Sequence, residues 1–328
     1  MGCARRIAAA AALAGLAGAA PAARVPGELT AALAALAAKD LRVASVAYRL
    51  QTAGLPLCRA RTALPGLIVQ DAAQYRADLR PAMAALYHVG PYPAVTGVVA
   101  GGPADRAGLS PGDEILALGG TRLAPATPRA GGADGRRFTA IMDRLGQAFA
   151  RGPVTLTIRR AGVVTTRRIT GRPACASTVQ LDLAATRNAG ADGRTVTVTQ
   201  GLLDSVESDD ELAFVIGHEL AHNILGHRHL REQGWRWTRV AANRETEREA
   251  DYYGVFLADW AGYDAGAALR FWQRIGHGSW LAEVFGDGTH PGDRSRMAAL
   301  SREVAQIRAA RRAHRRPMPD YAAFRRGG

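Results

Sequence analysis

The sequence predicts an α+β chain in which a mainly helical C-terminal domain with a small edge sheet follows a smaller β-rich domain. Three observations predict it. Between residues 95 and 170, short Val, Thr, Ile and Leu runs alternate with turns marked by glycine and proline, the punctuation of a compact sheet. From Ser208 a capping signal opens a run that is apolar on nearly every side as far as Leu225, as a buried helix requires. Beyond it, residues 244–254 and the stripe Met297, Leu300, Val304 and Ile307 carry helical spacing.

Taken in order, residues 1–22 read as an export leader. Arg5 and Arg6 give a positive start, residues 7–20 are uninterrupted Ala, Leu, Gly and Ile, and Ala20-Pro21-Ala22 supplies a small-x-small cleavage site. The run is too short and too alanine-rich for a membrane span, and no later stretch reaches span length. The mature protein is therefore expected outside the cytoplasm, soluble and periplasmic or secreted. Cys3 precedes the apolar run, so it does not sit where a lipidated cysteine would. Loss of the leader leaves Cys58 and Cys175, and an even number in an oxidising compartment predicts a disulfide between them, with two buried free thiols as the alternative.

Residues 23–85 form an N-terminal helical segment expected to pack on the C-terminal domain. Residues 28–38, 41–50 and 72–86 have helical composition, and 55–68, with Pro56 and Pro65, reads as irregular. Residues 86–172 are the β-rich domain. A β-rich run at 95–100 leads into Gly102-Pro103-Ala104-Asp105-Arg106-Ala107-Gly108-Leu109, a helical turn ending at glycine. Pro111-Gly112-Asp113 then makes a turn, and a strand closes at Gly119-Gly120. A Gly/Pro/Ala loop at 124–136, a helix at 138–150 and a hairpin of 154–159 with 163–169 across Ala161-Gly162 complete it. This stretch resembles a bacterial PDZ domain. The resemblance implies a partner: an extended C-terminal peptide added to a sheet edge, its carboxylate held by backbone amides. Leu86-Tyr87-His88-Val89-Gly90 is the nearest candidate for the carboxylate loop, and it departs from the usual glycine-rich pattern. A spacer that positions or shields the neighbouring domain is the alternative.

Ser208-Asp209-Asp210-Glu211 is a capping box whose acids also suit the helix dipole, and Gly226 is placed to end the helix. That apolar helix carries His218, Glu219 and His222. Residues four apart lie one above the other, so the two imidazoles converge on a single metal ion, and Glu219 beside the first reaches metal-bound water. Two satisfied core histidines are the alternative, but burying them with a glutamate and no partner is costly. A third ligand is expected from a second helix, on which Glu247, Ala250, Asp251 and Gly254 share one face. Ala250 and Gly254 are small enough for close approach, Glu247 then reaches the metal, and Asp251 accepts the free N–H of a ligating histidine. Glu245 and Glu249 are the alternative ligands, although they also suit a solvated face.

A His-Glu-x-x-His helix followed by Glu-x-x-Ala-Asp resembles the gluzincin peptidases that include the CAAX prenyl proteases, HtpX-type heat-shock proteases and BepA-type periplasmic peptidases. The resemblance runs from about residue 181 to 307 and implies a zincin-type metallopeptidase domain over 173–312. In that family one Zn2+ per chain is held as by His218, His222 and Glu247, with Glu219 as general base. The stretch His290-Pro291-Gly292-Asp293-Arg294-Ser295-Arg296 matches the family's His-Pro-x-x-x-x-Arg, which implies catalytic roles for His290 and Arg296 at the developing oxyanion. The resemblance also implies that Thr195, Val196, Thr197, Val198 and Thr199 form the cleft edge that pairs with substrate backbone. The expected activity is zinc-dependent endopeptidase cleavage of exported or misfolded polypeptides. The competing expectation is a periplasmic binding or chaperone-like protein whose zinc site is silent or plugged by His290. Membrane-embedded members have transmembrane helices that are lacking here, and the PDZ-like module is a further departure.

Other histidines carry less. A metzincin spacing would need a third histidine at Arg228, so that reading fails. His227, five on from His222, lies on a different helical face and is expected to be structural or to support a ligand; His229 flanks it. His88, His277 and His314 have no supporting pattern. The net charge of +13, nearly all from arginine, makes a basic surface, and residues 313–328 form a basic tail. Without an RNA-binding aromatic motif or a helix-turn-helix pattern, no nucleic-acid partner is expected; peripheral contact with an anionic membrane surface is the partner that charge leaves open.

Overall fold

The computed structural model describes residues 27–127, 132–229, 236–275 and 294–326. The leader at 1–22, Cys3, His277, His290 and the centre of the 124–136 loop lie outside the described residues. The described residues divide into two compact units, one comprising those up to Ser45 with those of Thr62–Pro173, the other Val46–Arg61 with those from Ala174 onward.

α1 (Gly27–Ala53) is one continuous helix where composition suggested two pieces. Lys39 and Asp40 interrupt the apolar pattern, but no glycine or proline interrupts the backbone. Then follow β1 (Arg61–Leu64), β2 (Leu67–Gln70), α2 (Arg80–Tyr87), β3 (Ala94–Val98), α3 (Pro103–Arg106), β4 (Glu114–Leu118), β5 (Thr121–Arg122), α4 (Arg136–Arg151), β6 (Val154–Arg160) and β7 (Val163–Ile169). The segment that reads as irregular in sequence thus holds two short strands, with Pro65 and Gly66 (φ 71°) turning the chain between them. The sheet runs β2-β3-β4-β6-β7 with antiparallel neighbours, and β5 pairs with β4. Val95, Ile115, Leu156, Ile158 and Ile169 form the core, covered by Leu145 and Phe149 from the amphipathic α4.

One expectation is corrected here. The 86–90 stretch ends α2, with His88 left-handed at the C-cap (φ 56°), and leads into β3. β3 is paired on both sides, so no peptide can add to it. The glycine turn that precedes an edge strand is Pro65-Gly66 before β2.

The second unit holds β9 (Thr178–Asp182), β10 (Ala189–Ala191), β11 (Thr195–Thr199), α5 (Gln200–Leu203), α6 (Asp209–Leu225), α7 (Arg236–Trp260), α8 (Ala267–Ile275), α9 (Arg294–Arg312) and α10 (Tyr321–Arg326), preceded by β8 (Arg172–Cys175). Cys58 and Cys175 are disulfide-bonded, with Cα atoms 5.4 Å apart. Beside them Gln51 Nε2 donates to the carbonyls of Cys175 (3.1 Å) and Ser177 (2.6 Å), tying the end of α1 to the start of β9. The small sheet has the order β10-β11-β9, antiparallel and then parallel. This overturns the reading of Thr195–Thr199 as the cleft edge. β11 is the central strand, because β9, thirteen or more residues earlier, returns in parallel on its far side. Val196 and Val198 are buried, and among the described residues the open edges belong to β10 and β9.

α6 and α7 pack backbone to backbone. A methyl group on Gly217 would lie 2.9 Å from the Gly254 carbonyl oxygen, and one on Gly254 would lie 2.8 Å from the His218 nitrogen. The 313–328 segment is anchored rather than free along its described length. Tyr321 is buried and donates its hydroxyl to Glu245 (2.9 Å), and the Asp320 N–H donates to the Tyr252 hydroxyl (2.8 Å). No helix among the described residues is long and apolar enough to cross a membrane.

Candidate metal centre

Local signals set α6 in place. Ser208 Oγ accepts from the Glu211 N–H (3.2 Å), and the Glu211 carboxylate reaches back to the Glu207 N–H (2.9 Å), one residue before the usual capping-box target. At the other end Gly226 adopts the left-handed conformation (φ 72°) that a side chain would resist. Between the caps every residue from Glu211 to His222 is buried.

That burial includes the polar residues. His218 is 0 % exposed, Glu219 and His222 1 %, and on α7 Glu247 is 1 % and Asp251 2 % exposed. His218 Nε2 and His222 Nε2 face each other at 3.2 Å. Glu247 Oε2 lies 3.3 Å from the first, and its Oε1 lies 3.4 Å from the second. One ligand atom from each of these three residues falls within 4.8 Å of the others, a grouping that could hold a metal ion.

The opposite edges of the rings are bonded outward. His218 Nδ1 meets Asp251 Oδ1 at 3.0 Å. Arg296 grips Asp251 with two donors, Nε to Oδ2 at 2.6 Å and Nη2 to Oδ1 at 2.8 Å, and stacks 4.5 Å over the Trp272 ring. His222 Nδ1 meets His227 Nδ1 at 2.9 Å, and His227 Nε2 meets Glu249 Oε2 at 3.2 Å.

Electrostatics follow from this layout. Burial alone would raise the Asp251 pKa, but the Arg296 charge and the His218 bond more than reverse it and hold Asp251 below the usual carboxylate range. For His218, burial pulls down, but the hydrogen bonds and charges of Asp251 and Glu247 win and lift it to about 10. For His222, burial dominates over its bond to Glu247, and the neighbouring histidines add to the lowering, to about 3. Two imidazoles this close cannot both be cationic, so at most one holds a second proton and the other stays neutral.

The donor set fits a divalent cation. Two imidazole Nε2 atoms and one carboxylate converge from two rigid helices. The Nδ1 atoms are engaged elsewhere, so both rings present the inward nitrogen. Nitrogen and oxygen donors of this kind suit zinc.

Several residues stand elsewhere than sequence reasoning put them. Arg296 was expected at the oxyanion, but two of its donors are committed to Asp251, because a guanidinium fork matches a carboxylate edge. Glu245 is bonded to Tyr321 and paired with Arg325 at 3.0 Å. Glu249 faces His227, so neither alternative glutamate joins the three-residue cluster. His290 lies outside the described residues, and His88 caps α2. The link from His222 to Glu249 went unread, although Gly226 carried the signal: past a left-handed cap, helical facing rules cease to apply.

Comparison with known proteins agrees with this geometry. Residues 181–237 and 235–304 match peptidase family M48, and residues 94–128 match the PDZ domain. The mitochondrial metalloendopeptidase OMA1 of Arabidopsis thaliana is 29 % identical over 132 residues, an overlap that covers 32 % of this chain and 27 % of that protein. The chain thus spans about a quarter of the length of the curated relative it matches.

Proposed function

We propose, with the match to peptidase family M48 as premise, that this chain is a zinc-dependent endopeptidase whose metal ligands are His218, His222 and Glu247. The observation that carries the reading is the convergence of three buried donors within 4.8 Å, with both outward ring nitrogens fixed. Zinc bound there supplies a Lewis acid and lowers the pKa of the water it holds. Glu219, one residue after the first ligand on the same helix, takes a proton from the attacking water and passes it to the leaving amine. Asp251 orients His218 as a hydrogen-bond acceptor, and Arg296 holds Asp251 in place. His290 is assigned to the oxyanion on the family resemblance of its His-Pro-x-x-x-x-Arg stretch. The substrates are polypeptides bound in extended form along the β10 edge. Asp192 N–H donates to Thr195 O and Thr199 N–H to Asn188 O, so by alternation Ala189 and Ala191 turn their backbone groups away from β11. The PDZ match supports capture of an extended C-terminal peptide, for which β2 behind Gly66 is the edge we assign.

The test is digestion of unfolded casein by the mature protein, with and without a chelator, beside Glu219→Gln. The reading expects chelator-sensitive cleavage, and a variant that keeps its metal but has lost activity. Full proteolysis by that variant would remove Glu219 from the reaction. No chelator-sensitive cleavage from the parent would favour the binding-protein reading instead.

We further assign the chain to an oxidising compartment outside the cytoplasm. The leader-like residues 1–22 and the Cys58–Cys175 disulfide support this. The relative is mitochondrial by name, so its location is not carried over. Mass spectrometry of the purified protein should find a mature N-terminus close to residue 23; an intact Met1 start with both thiols reduced would overturn the assignment.

A further inference from the structure

Each candidate ligand histidine has a line of hydrogen bonds behind it, and the two lines are built differently. Behind His218 stands a carboxylate, Asp251, itself clamped by Arg296. Behind His222 stands a second imidazole, His227, followed by the Glu249 carboxylate.

The hydrogen positions on this second line are fixed by elimination. With Nε2 of His222 turned to a metal, its ring hydrogen must sit on Nδ1, where it donates. His227 Nδ1, 2.9 Å away, must therefore be the acceptor. The hydrogen of His227 then sits on Nε2 and donates to Glu249 Oε2 at 3.2 Å. Every polar atom of both rings is used once. His227 is 0 % exposed, and its ring stands nearly edge-on to His222, with centroids 4.9 Å apart and planes at 79°. Packing alone does not require a histidine there; a leucine would fill the same space.

The local fold makes the contact available. Were α6 to continue past Leu225, His227 would point to another face. Gly226 instead ends the helix in a left-handed cap, and a new helical turn opens at His227 with the His229 N–H bonded to the Gly226 carbonyl (3.1 Å). His227 is thereby returned toward the ring one turn earlier, while Glu249 comes from α7, two residues after Glu247. One helix thus supplies a metal-facing carboxylate and, on an adjoining face, the carboxylate that ends the second line.

We propose that His227 and Glu249 are positioning residues: together they fix the ring plane and tautomer of His222 so that Nε2 faces the metal. The proposal rests on the zinc reading above. Without His227, the His222 ring is free to turn about its side-chain bonds or to place its hydrogen on Nε2, and either change removes a ligand. Partners of this kind contribute roughly 10- to 100-fold to metal affinity in other sites.

Zinc affinity of the full chain, with its disulfide intact, is to be measured by competition against a chromogenic chelator. Cobalt substitution adds a visible spectrum that reports coordination directly. His227→Leu keeps the volume and removes both bonds, and its zinc affinity is expected to fall roughly 10- to 100-fold. His227→Asn places an oxygen where Nδ1 sits, and it should recover most of the loss although it cannot reach Glu249. Glu249→Met, at a partly exposed position, should weaken zinc binding by less than His227→Leu and leave the fold intact, so it carries the test if the leucine variant does not fold. Leu and Met variants that bind zinc as tightly as the parent, with unchanged cobalt spectra, would overturn the relay while leaving the zinc reading standing. An Asn variant as weak as Leu would likewise overturn it, by showing that the acceptor is not what matters. A parent protein that binds no zinc would bring down the reading on which the relay rests.

Discussion

The closest test of how the metal-ligand geometry is held is the substitution Gly254→Ala. A Cβ at this position would stand 2.8 Å from the His218 backbone nitrogen, 3.0 Å from its Cα and 3.2 Å from the Gly217 carbonyl carbon. All three are backbone atoms of α6, so no side chain can swing aside. Reaching ordinary contact at 3.4 Å moves the two helices apart by about 0.6 Å. The movement falls on His218 itself, whose Nε2 is 3.3 Å from Glu247 on the opposite helix. Metal–ligand distances hold to about 0.2 Å, so a displacement three times larger cannot be absorbed by coordination alone. Overpacking of this kind costs about 1–3 kcal/mol, offset in part by about 1 kcal/mol from the better helix propensity of alanine. The net cost to metal-free stability is therefore about 0–2 kcal/mol, while zinc affinity should fall at least tenfold. Thermal unfolding in chelator and a zinc competition titration separate the two quantities. Wild-type zinc affinity in a folded Gly254→Ala protein would refute the claim that the glycine contact sets the distance between the ligands.

Three further outcomes follow from the same geometry. Arg296→Lys loses the two-point grip on Asp251 and the stack on Trp272, and it should weaken zinc binding roughly tenfold, measured by the same titration. Glu303 on α9 is 0 % exposed, and burial first, then the nearby Asp251, push its pKa well above the ordinary carboxylate value of 4.5 against the pull of Arg302 and Arg296. The folded state then holds the proton more tightly than the unfolded chain. The stabilisation is complete below about pH 4.5 and is lost, at about 1.4 kcal/mol per pH unit, as pH rises toward the folded-state pKa. Glu303→Gln should accordingly gain stability over the parent at pH 7 and lose that advantage near pH 4; urea midpoints at the two pH values decide it, and equal differences would exclude the buried carboxyl as the cause. Finally, the Cys58–Cys175 bond closes a loop with a sequence separation of 117, so Cys58→Ser with Cys175→Ser should lower unfolding free energy by about 2–4 kcal/mol. A loss under about 0.5 kcal/mol would show that the Gln51 bonds and the surrounding packing already hold this junction.

What the sequence could announce was local. The capping box at Ser208, the glycine at 226 and the four-residue spacing of His218 and His222 are short-range signals, and α6 spans Asp209–Leu225 with the two rings facing one another. Glu247 and Asp251 could be read because helical facing extends over one turn, and the small residues beside them marked where a second helix would touch. The hairpin of β6 and β7 was announced in the same way by Ala161-Gly162 between two β-branched runs.

Pairing over distance was not legible. Thr195–Thr199 looks like a strand and is one, but its rank within the sheet depends on β9, which reads as nothing special in isolation. β1 and β2 were hidden by Pro65, which suggests irregularity until its place at the turn between two strands is known. The partnership of Arg296 with Asp251 joins residues 45 apart on two helices, and only the fold shows that the guanidinium faces a carboxylate. His227 does stand behind a candidate ligand, as a supporting residue would, but not on the face that helical spacing gives it: the helical rule stops at Gly226, one residue before it.

The central claim is that His218, His222 and Glu247 together bind one divalent ion. Metal analysis of the purified protein beside its Glu247→Ala variant addresses it most directly. The account expects one equivalent of zinc in the parent and far less than one in a variant that remains folded. A parent devoid of zinc after exposure to it, or a variant that keeps a full equivalent, would contradict it.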